Sequence, residues 1–479
     1  MKRISRRDFL KGATLSGAGL VAAACTAAPA PAPAAPAPAA KAEPTKAPAA
    51  EPTKAPAPAQ AVQIDVWTGW TEAAAKNIEQ ILDGYNKSQN KIAAKHVVVP
   101  ENMTQKLLAG VAAGSPPSTA VVFGANIAYQ LAAQKAILAL DEVGKPDQVA
   151  TLKKWMAPPI WDLGTYKGKY YFASMWNQCY AMFVNTKMCK EKGVDPTKPP
   201  ANWDEMADTW DKLTTLDAQG NINVLGGDYT SVQNSIARFL GQLVNEDGTK
   251  VTANHPGNIK ALEWQTARWK KVGVKKLQDY FASLQGRGER SAGNDPFLSS
   301  LRATLITGPW QFDTIKRYKP AGFEFTVWPL PRPTGVTKTG MYTYGDGWII
   351  PKGGKEPAAA WEIISAMTGA TGDRDVYTGL FMVWQCVNGP VSTQMADWPK
   401  FKTEVIGQCP GYQEIFLKDL FNADQYLYPA KIPTSDSYAA LLGAEWEKAR
   451  VGQKAPKEAL DYVTEQAQKE LDNWLAKQG

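Results

Sequence analysis

Residues able to do covalent or metal chemistry are sparse in this chain. Its 479 residues hold five cysteines, Cys25, Cys179, Cys189, Cys386 and Cys409, and two isolated histidines, His96 and His255. No Cys-x-x-Cys pair occurs, so neither zinc nor haem ligation is expected, and no cofactor. A glycosidase would need two carboxylates facing each other across a cleft. Asp204 with Glu205, or Asp346, are the candidates, and the first two sit in the segment Asn202-Trp203-Asp204-Glu205, where a helix capping box already accounts for them. No Gly-x-Ser-x-Gly elbow appears, and no Gly-x-Gly-x-x-Gly opens a helix after a strand. What remains is non-covalent recognition. Seventeen Trp and seventeen Tyr offer flat apolar faces to sugar C–H groups, while Asn, Gln, Asp and Glu can pair with hydroxyls. The chain therefore reads as a binder and not as an enzyme.

The cysteines divide into two chemistries. Ser5-Arg6-Arg7-Asp8-Phe9-Leu10-Lys11 matches the bacterial twin-arginine export signal, and the apolar stretch 13–24 is too short to span a bilayer. Ala22-Ala23-Ala24-Cys25 resembles a lipoprotein processing site, so residues 1–24 are expected to be removed and Cys25 to carry a lipid. Cleavage without acylation, giving a freely diffusing protein, is the alternative. Residues 25–60 are the lipidated cysteine and a Pro/Ala-rich linker in which Ala42-Glu43-Pro44-Thr45-Lys46-Ala47-Pro48-Ala49 recurs at 50–57. Such a segment lacks the apolar bulk to offset ordering entropy; at ~3.1 Å per residue it reaches on the order of 100 Å when extended. The expected location is extracytoplasmic, with Cys25 anchoring the protein to the cell membrane. In an oxidising compartment the other four cysteines favour disulfides, with three connectivities open. Cys386–Cys409 is the first choice because Gly389, Pro390 and Pro399 let that loop close.

The elements that must position a binding site follow from periodicity. Residues 62–67 alternate as a strand, and Ala75, Ile78, Ile81, Leu82 and Tyr85 recur at helical spacing. Strands at 95–99 and 120–123 and helices at 103–113 and 127–133 continue the alternation, with Pro116-Pro117 as a breaker. This repetition predicts a parallel sheet with helices on its faces. Leu460, Val463, Ala467, Leu471 and Trp474 form the apolar face of a closing helix. The roughly 420 residues after the linker exceed the usual size of one core and predict two lobes. Much of the formal net charge of +7 lies in the export signal, so the remainder is near neutral and without a basic stripe; nucleic acid is not an expected partner.

Read in order, several pieces resemble the sugar-binding, maltose-binding-protein-like solute receptors of ABC importers, extracellular solute-binding protein family 1. They are the opening strand ending in Trp67, the segment 106–117 ending in Gly114-Ser115-Pro116-Pro117, and Ala139-Leu140-Asp141-Glu142. Gly164-Thr165-Tyr166-Lys167-Gly168-Lys169-Tyr170-Tyr171, Val184-Asn185-Thr186, Asn202-Trp203-Asp204-Glu205, Gly308-Pro309-Trp310, Pro329-Leu330-Pro331 and Ala360-Trp361-Glu362 follow. The likeness covers nearly all of 62–479. It implies an α/β, two-lobed periplasmic-binding-protein-like fold with a hinge and an interlobe ligand cleft, residues 61–176 and 330–393 forming one lobe and 177–329 and 394–479 the other. It also implies a carbohydrate or other small polar ligand, ABC permease subunits as partners, and a monomer.

Site residues come from the resemblance and from strand ends together. The resemblance makes Trp310 a sugar-stacking ring and Gln178, at the crossing between lobes, a polar contact with Trp176 as a wall. Trp70 and Glu72 follow the first strand and Phe123 and Asn126 end the third, at the carboxyl rim where α/β sheets bind ligands. Asp346 and Trp348, in the glycine-flanked loop Tyr344-Gly345-Asp346-Gly347-Trp348, complete the expected set, with a plain turn as the alternative for that loop and a helix-dipole role as the alternative for Glu72. Trp203 is expected to pack at a helix start rather than bind.

Overall fold

A computed structural model describes residues 60–229, 231–285, 293–371 and 374–477. The export signal, Cys25 and nearly all of the linker lie outside the described residues. The first strand, Val62–Thr68, buries Ile64, Val66 and Thr68 on one face, and the helix Glu72–Ser88 that follows buries all five residues of its expected stripe. Full burial of each such aliphatic side chain contributes roughly 1.5–3 kcal/mol, which fixes the helix against the sheet.

Two main sheets carry the architecture. The first has the order Ile92–Val98, Val62–Thr68, Thr119–Phe123, Asp346–Ile349, Ala173–Ser174. Its three N-terminal strands run parallel, as the α/β alternation predicts, and Asp346–Ile349, arriving from far along the chain, runs antiparallel to both of its neighbours, Thr119–Phe123 and Ala173–Ser174. The second sheet, Thr304–Thr307, Ala181–Asn185, Phe325–Trp328, is wholly antiparallel, so the parallel expectation holds only for the first. Ser118, just after Pro116-Pro117, donates to Asp65 Oδ1 at 3.0 Å and pins that turn to the first strand. The second strand begins at Ile92, three residues before its expected start, because Gln89 Oε1 accepts from the amides of Lys91 and Ile92 and aligns the chain early.

The chain crosses between the sheets at 174–181, again between 328 and 346, and returns through 383–425. The crossing expected at 330 falls later. Gly340–Tyr342 pairs with Gln425–Leu427, and Tyr342 packs in a cluster with Ile236, Leu427 and Tyr438. The first sheet is rejoined only at Asp346. Beyond 393, Phe401 still packs on Phe381 at 5.1 Å, whereas Phe416 meets Phe183 of the second sheet. Cys386 and Cys409 are disulfide-bonded across 23 residues, and Cys179 and Cys189 are buried free thiols whose pKa values burial pushes up. In the chain-entropy view such a closed loop contributes roughly 3 kcal/mol.

At Asn202 the capping prediction meets its detail. The Asn202 side chain accepts from the Asp204 and Glu205 amides, and the Glu205 carboxylate accepts from the Ala201 amide and from Asn202 Nδ2 rather than from the Asn202 backbone amide. Trp203 is 1% exposed and donates to Pro331 O at 2.9 Å, a packing residue. In the closing helix Pro456–Ala476, Leu460, Val463, Ala467 and Leu471 are buried, while Trp474 is only half-buried.

Candidate functional site

Where the first-sheet strands end, the backbone approaches closely. Gly124, after the Thr119–Phe123 strand, has φ +109°, and a Cβ there would lie 2.4 Å from the Tyr344 hydroxyl, so only glycine fits. That hydroxyl donates to Phe123 O at 2.7 Å. The adjoining crossover brings Gln178 N to Tyr344 O at 2.7 Å. Two residues on, the Tyr180 hydroxyl donates to Gln178 Oε1, and the Tyr180 ring meets Trp310 edge-on at 5.7 Å. Trp310 folds back over Gly308, where a Cβ would fall 1.9 Å from the indole.

These contacts enclose a cavity of about 280 Å³ at the junction of the crossovers. Asn126, Gln178, Tyr180, Asn234, Tyr342 and Tyr344 are among its walls. The Ser435–Arg450 helix closes it with Ser435, Tyr438 and Leu442, and Asn126 Nδ2 donates to Asp436 at the start of that helix. Tyr342 and Tyr344 stack at 5.6 Å. Asn126 Oδ1 and Ser435 Oγ are buried with no partner among the described residues. Burial pushes the Tyr180 and Tyr344 hydroxyls up, so both are neutral donors or acceptors.

The expected residues separate into groups. Asn126 and Gln178 line the cavity, and Trp310 touches its Tyr180 wall. Trp176 is a correction as a cleft wall, since at 2% exposure its ring packs in the core; its indole donates to Asp346, and burial raises the Asp346 carboxyl to about 6. Trp70 and Phe123 form an aromatic group at the rim with centroids 5.1 Å apart. Glu72, at φ +49°, lies on a different cavity of about 340 Å³, which it shares with Asp313, Arg317 and Trp384. Trp348 is a correction: at 1% exposure its ring fills the core beneath the first sheet and has no face to offer a ligand. Tyr180, Tyr342, Tyr344, Ser231, Asn234, Ser435 and Tyr438 were not expected. A period-two signal existed for two pairs, since Tyr180 follows Gln178 and Tyr344 follows Tyr342 on the same face. The helix residues arrive from distant sequence and gave no such signal.

Among the described residues no group of three or more His, Cys, Asp or Glu side chains could hold a metal ion. No described helix is long and apolar enough to cross a membrane. Residues 80–406 match the family described as bacterial extracellular solute-binding protein. The chain belongs to that family. A solute-binding protein of this kind works outside the cytoplasm, and its family is one of binding proteins. Among solved structures it resembles CpMnBP1 with mannobiose bound, with a TM-score of 0.68 and 22% identity over 85% of this chain and 99% of that one. Lmo0181 from Listeria monocytogenes, in complex with cycloalternan, gives 0.66 and 19% over 86% and 99%. UgpB from Mycobacterium tuberculosis, in complex with glycerophosphocholine, gives 0.66 and 15% over 87% and 99%. These likenesses establish the two-lobed fold of the solute-binding protein. By sequence it is 28% identical over 163 residues to the sn-glycerol-3-phosphate-binding periplasmic protein UgpB of Pectobacterium atrosepticum; the match covers 32% of this chain and about a third (35%) of that relative's length.

Proposed function

We propose that this solute-binding protein captures a sugar or short oligosaccharide between its lobes and delivers it to the membrane permease of an ABC importer, tethered by lipid on Cys25. The observation that carries the reading is the composition of the 280 Å³ cavity: tyrosine rings beside neutral amides and hydroxyls, with Asn126 Oδ1 and Ser435 Oγ unpartnered. Rings stack on sugar C–H faces, and neutral amides exchange hydrogen bonds with hydroxyls at little desolvation cost. Among the described lining residues none carries a full positive charge, which favours a neutral polyol over a phosphate ester. The neighbours solved with mannobiose and with cycloalternan point the same way.

Capture proceeds by population shift: a ligand touching both lobes stabilises the closed arrangement, and closure presents the docking surface to the permease. The deciding experiment is a thermal-shift screen of mannobiose, maltotriose, sn-glycerol 3-phosphate and glycerophosphocholine. A micromolar ligand supplied at millimolar concentration should raise Tm by several degrees. A shift with the sugars supports the reading. A shift confined to the phosphate esters overturns it in favour of the glycerophosphate class carried by the partial UgpB relative.

A further inference from the structure

The turn at Val383–Cys386 is held from three directions and presents one large ring. Gln385 and Cys386 are consecutive non-glycine residues in the left-handed region, at φ +44° and +59°, a pairing that a free chain avoids. The Cys386 amide bonds Phe381 O at 2.8 Å, and the bridge to Cys409 fixes the side chain beyond it. From the first-sheet side, Asn77 Nδ2 donates to Val383 O at 3.3 Å. From the second-sheet side, Lys316 Nζ in the helix Gln311–Tyr318 donates to Gln385 Oε1 at 2.7 Å. The Gln385 amide nitrogen in turn lies 3.5 Å from Cys409 Sγ.

Trp384 is what this turn displays. Its half-buried ring meets Trp70 at 5.7 Å and stands edge-on to Trp176 at 5.2 Å. Its remaining surface faces the 340 Å³ cavity between Thr71–Asn77 of the first lobe and Asp313–Tyr318 of the second. Phe123, 40% exposed, meets Trp70 at 5.1 Å, and its backbone carbonyl accepts from the Tyr344 hydroxyl of the tyrosine-lined cavity, so the aromatic group around Trp384 adjoins that cavity.

Resting on the carbohydrate reading above, we infer that Trp384 is an outer aromatic wall of the ligand cleft, and that the Cys386–Cys409 bridge is the element that positions it. The bridge then sets ligand affinity as well as stability. Without it, nothing covalent opposes relaxation of the two left-handed residues, and the ring leaves its place beside Trp70.

The test is a double-mutant cycle on the mature chain, titrated calorimetrically with mannobiose and maltotriose. Trp384→Ala, which keeps the bridge, should weaken binding about tenfold, the scale of an aromatic anchor. Cys386→Ser/Cys409→Ser should weaken it about fivefold or more. Bridge removal in the Trp384→Ala background should add nothing, because both changes act through one ring. Bridge removal that lowers Tm but leaves affinity unchanged overturns the inference, as do losses that simply multiply in the combined variant. Should the bridge-free chain fail to fold, Gln385→Ala, with the bridge intact, runs the same cycle against Trp384→Ala. No binding of either sugar by the unaltered chain overturns the carbohydrate reading and this inference with it, a pattern distinct from binding that ignores the bridge.

Discussion

The indole N–H of Trp176 donates to Oδ2 of Asp346 across 2.8 Å, joining the segment that leaves the first sheet to the strand that re-enters it. Burial raises the Asp346 carboxyl to about 6, and the indole hydrogen bond opposes that rise. Burial thus brings a titratable group into the range of ordinary buffers in spite of the contact.

Its consequence for stability has a definite sign. Between pH 4 and 6 the folded state holds the Asp346 proton while the unfolded state has released it, so this group's contribution is full below pH 4 and is lost as pH rises through about 6. Asp346→Asn, which keeps an acceptor for Trp176, should flatten the dependence of Tm on pH in that window. An unchanged pH profile in the variant would mean that Asp346 ionises normally.

If ligand hydroxyls reach Asp346, affinity carries the opposite dependence, because a carboxylate accepts hydrogen bonds that a carboxylic acid accepts less well. Sugar affinity should rise from pH 5 to pH 7 in the unaltered chain and stay level in Asp346→Asn. Isothermal titrations at the two pH values check this.

Trp310 and Trp203 form a matched pair. Trp310 is half-buried against the Tyr180 wall, whereas Trp203 is 1% exposed. Trp310→Ala should cost ~2 kcal/mol of binding, about thirtyfold in affinity, with little change in Tm. Trp203→Ala should instead lose about 3–5 kcal/mol of stability and leave the affinity of the folded fraction alone. The reverse pattern would remove Trp310 from the site.

The proposed lipid anchor on Cys25 is tested separately from binding. Cys25→Ala should move the protein from the membrane fraction to the soluble extracytoplasmic fraction with ligand affinity unchanged, since the linker segment lies between the two functions. Retention at the membrane would mean that something other than the lipid holds it.

Closure is measured by scattering. On adding a bound sugar, the radius of gyration of the mature chain should fall, as two lobes come together about a hinge. Slow consumption of that sugar, followed by chromatography, would argue for an enzyme.

Much of the fold was legible locally. The helix Glu72–Ser88 buries the five residues whose spacing announced it, and the Asn202 cap forms where its residue types stand, because both depend on neighbours within one or two turns. The lipoprotein-like start and the neutral, aromatic-rich body were likewise properties of composition, and the Cys386–Cys409 pair was favoured by the turn residues between its members. Other features are non-local. That Gly340–Tyr342 pairs with Gln425–Leu427, that Trp348 faces the core while Tyr344 faces the cavity, and that Ser435 and Tyr438 close over Asn126 all depend on strand order and on which face of an element meets the other lobe. Short apolar strands fit either orientation equally well, and only the tertiary contacts that bury one face choose between them.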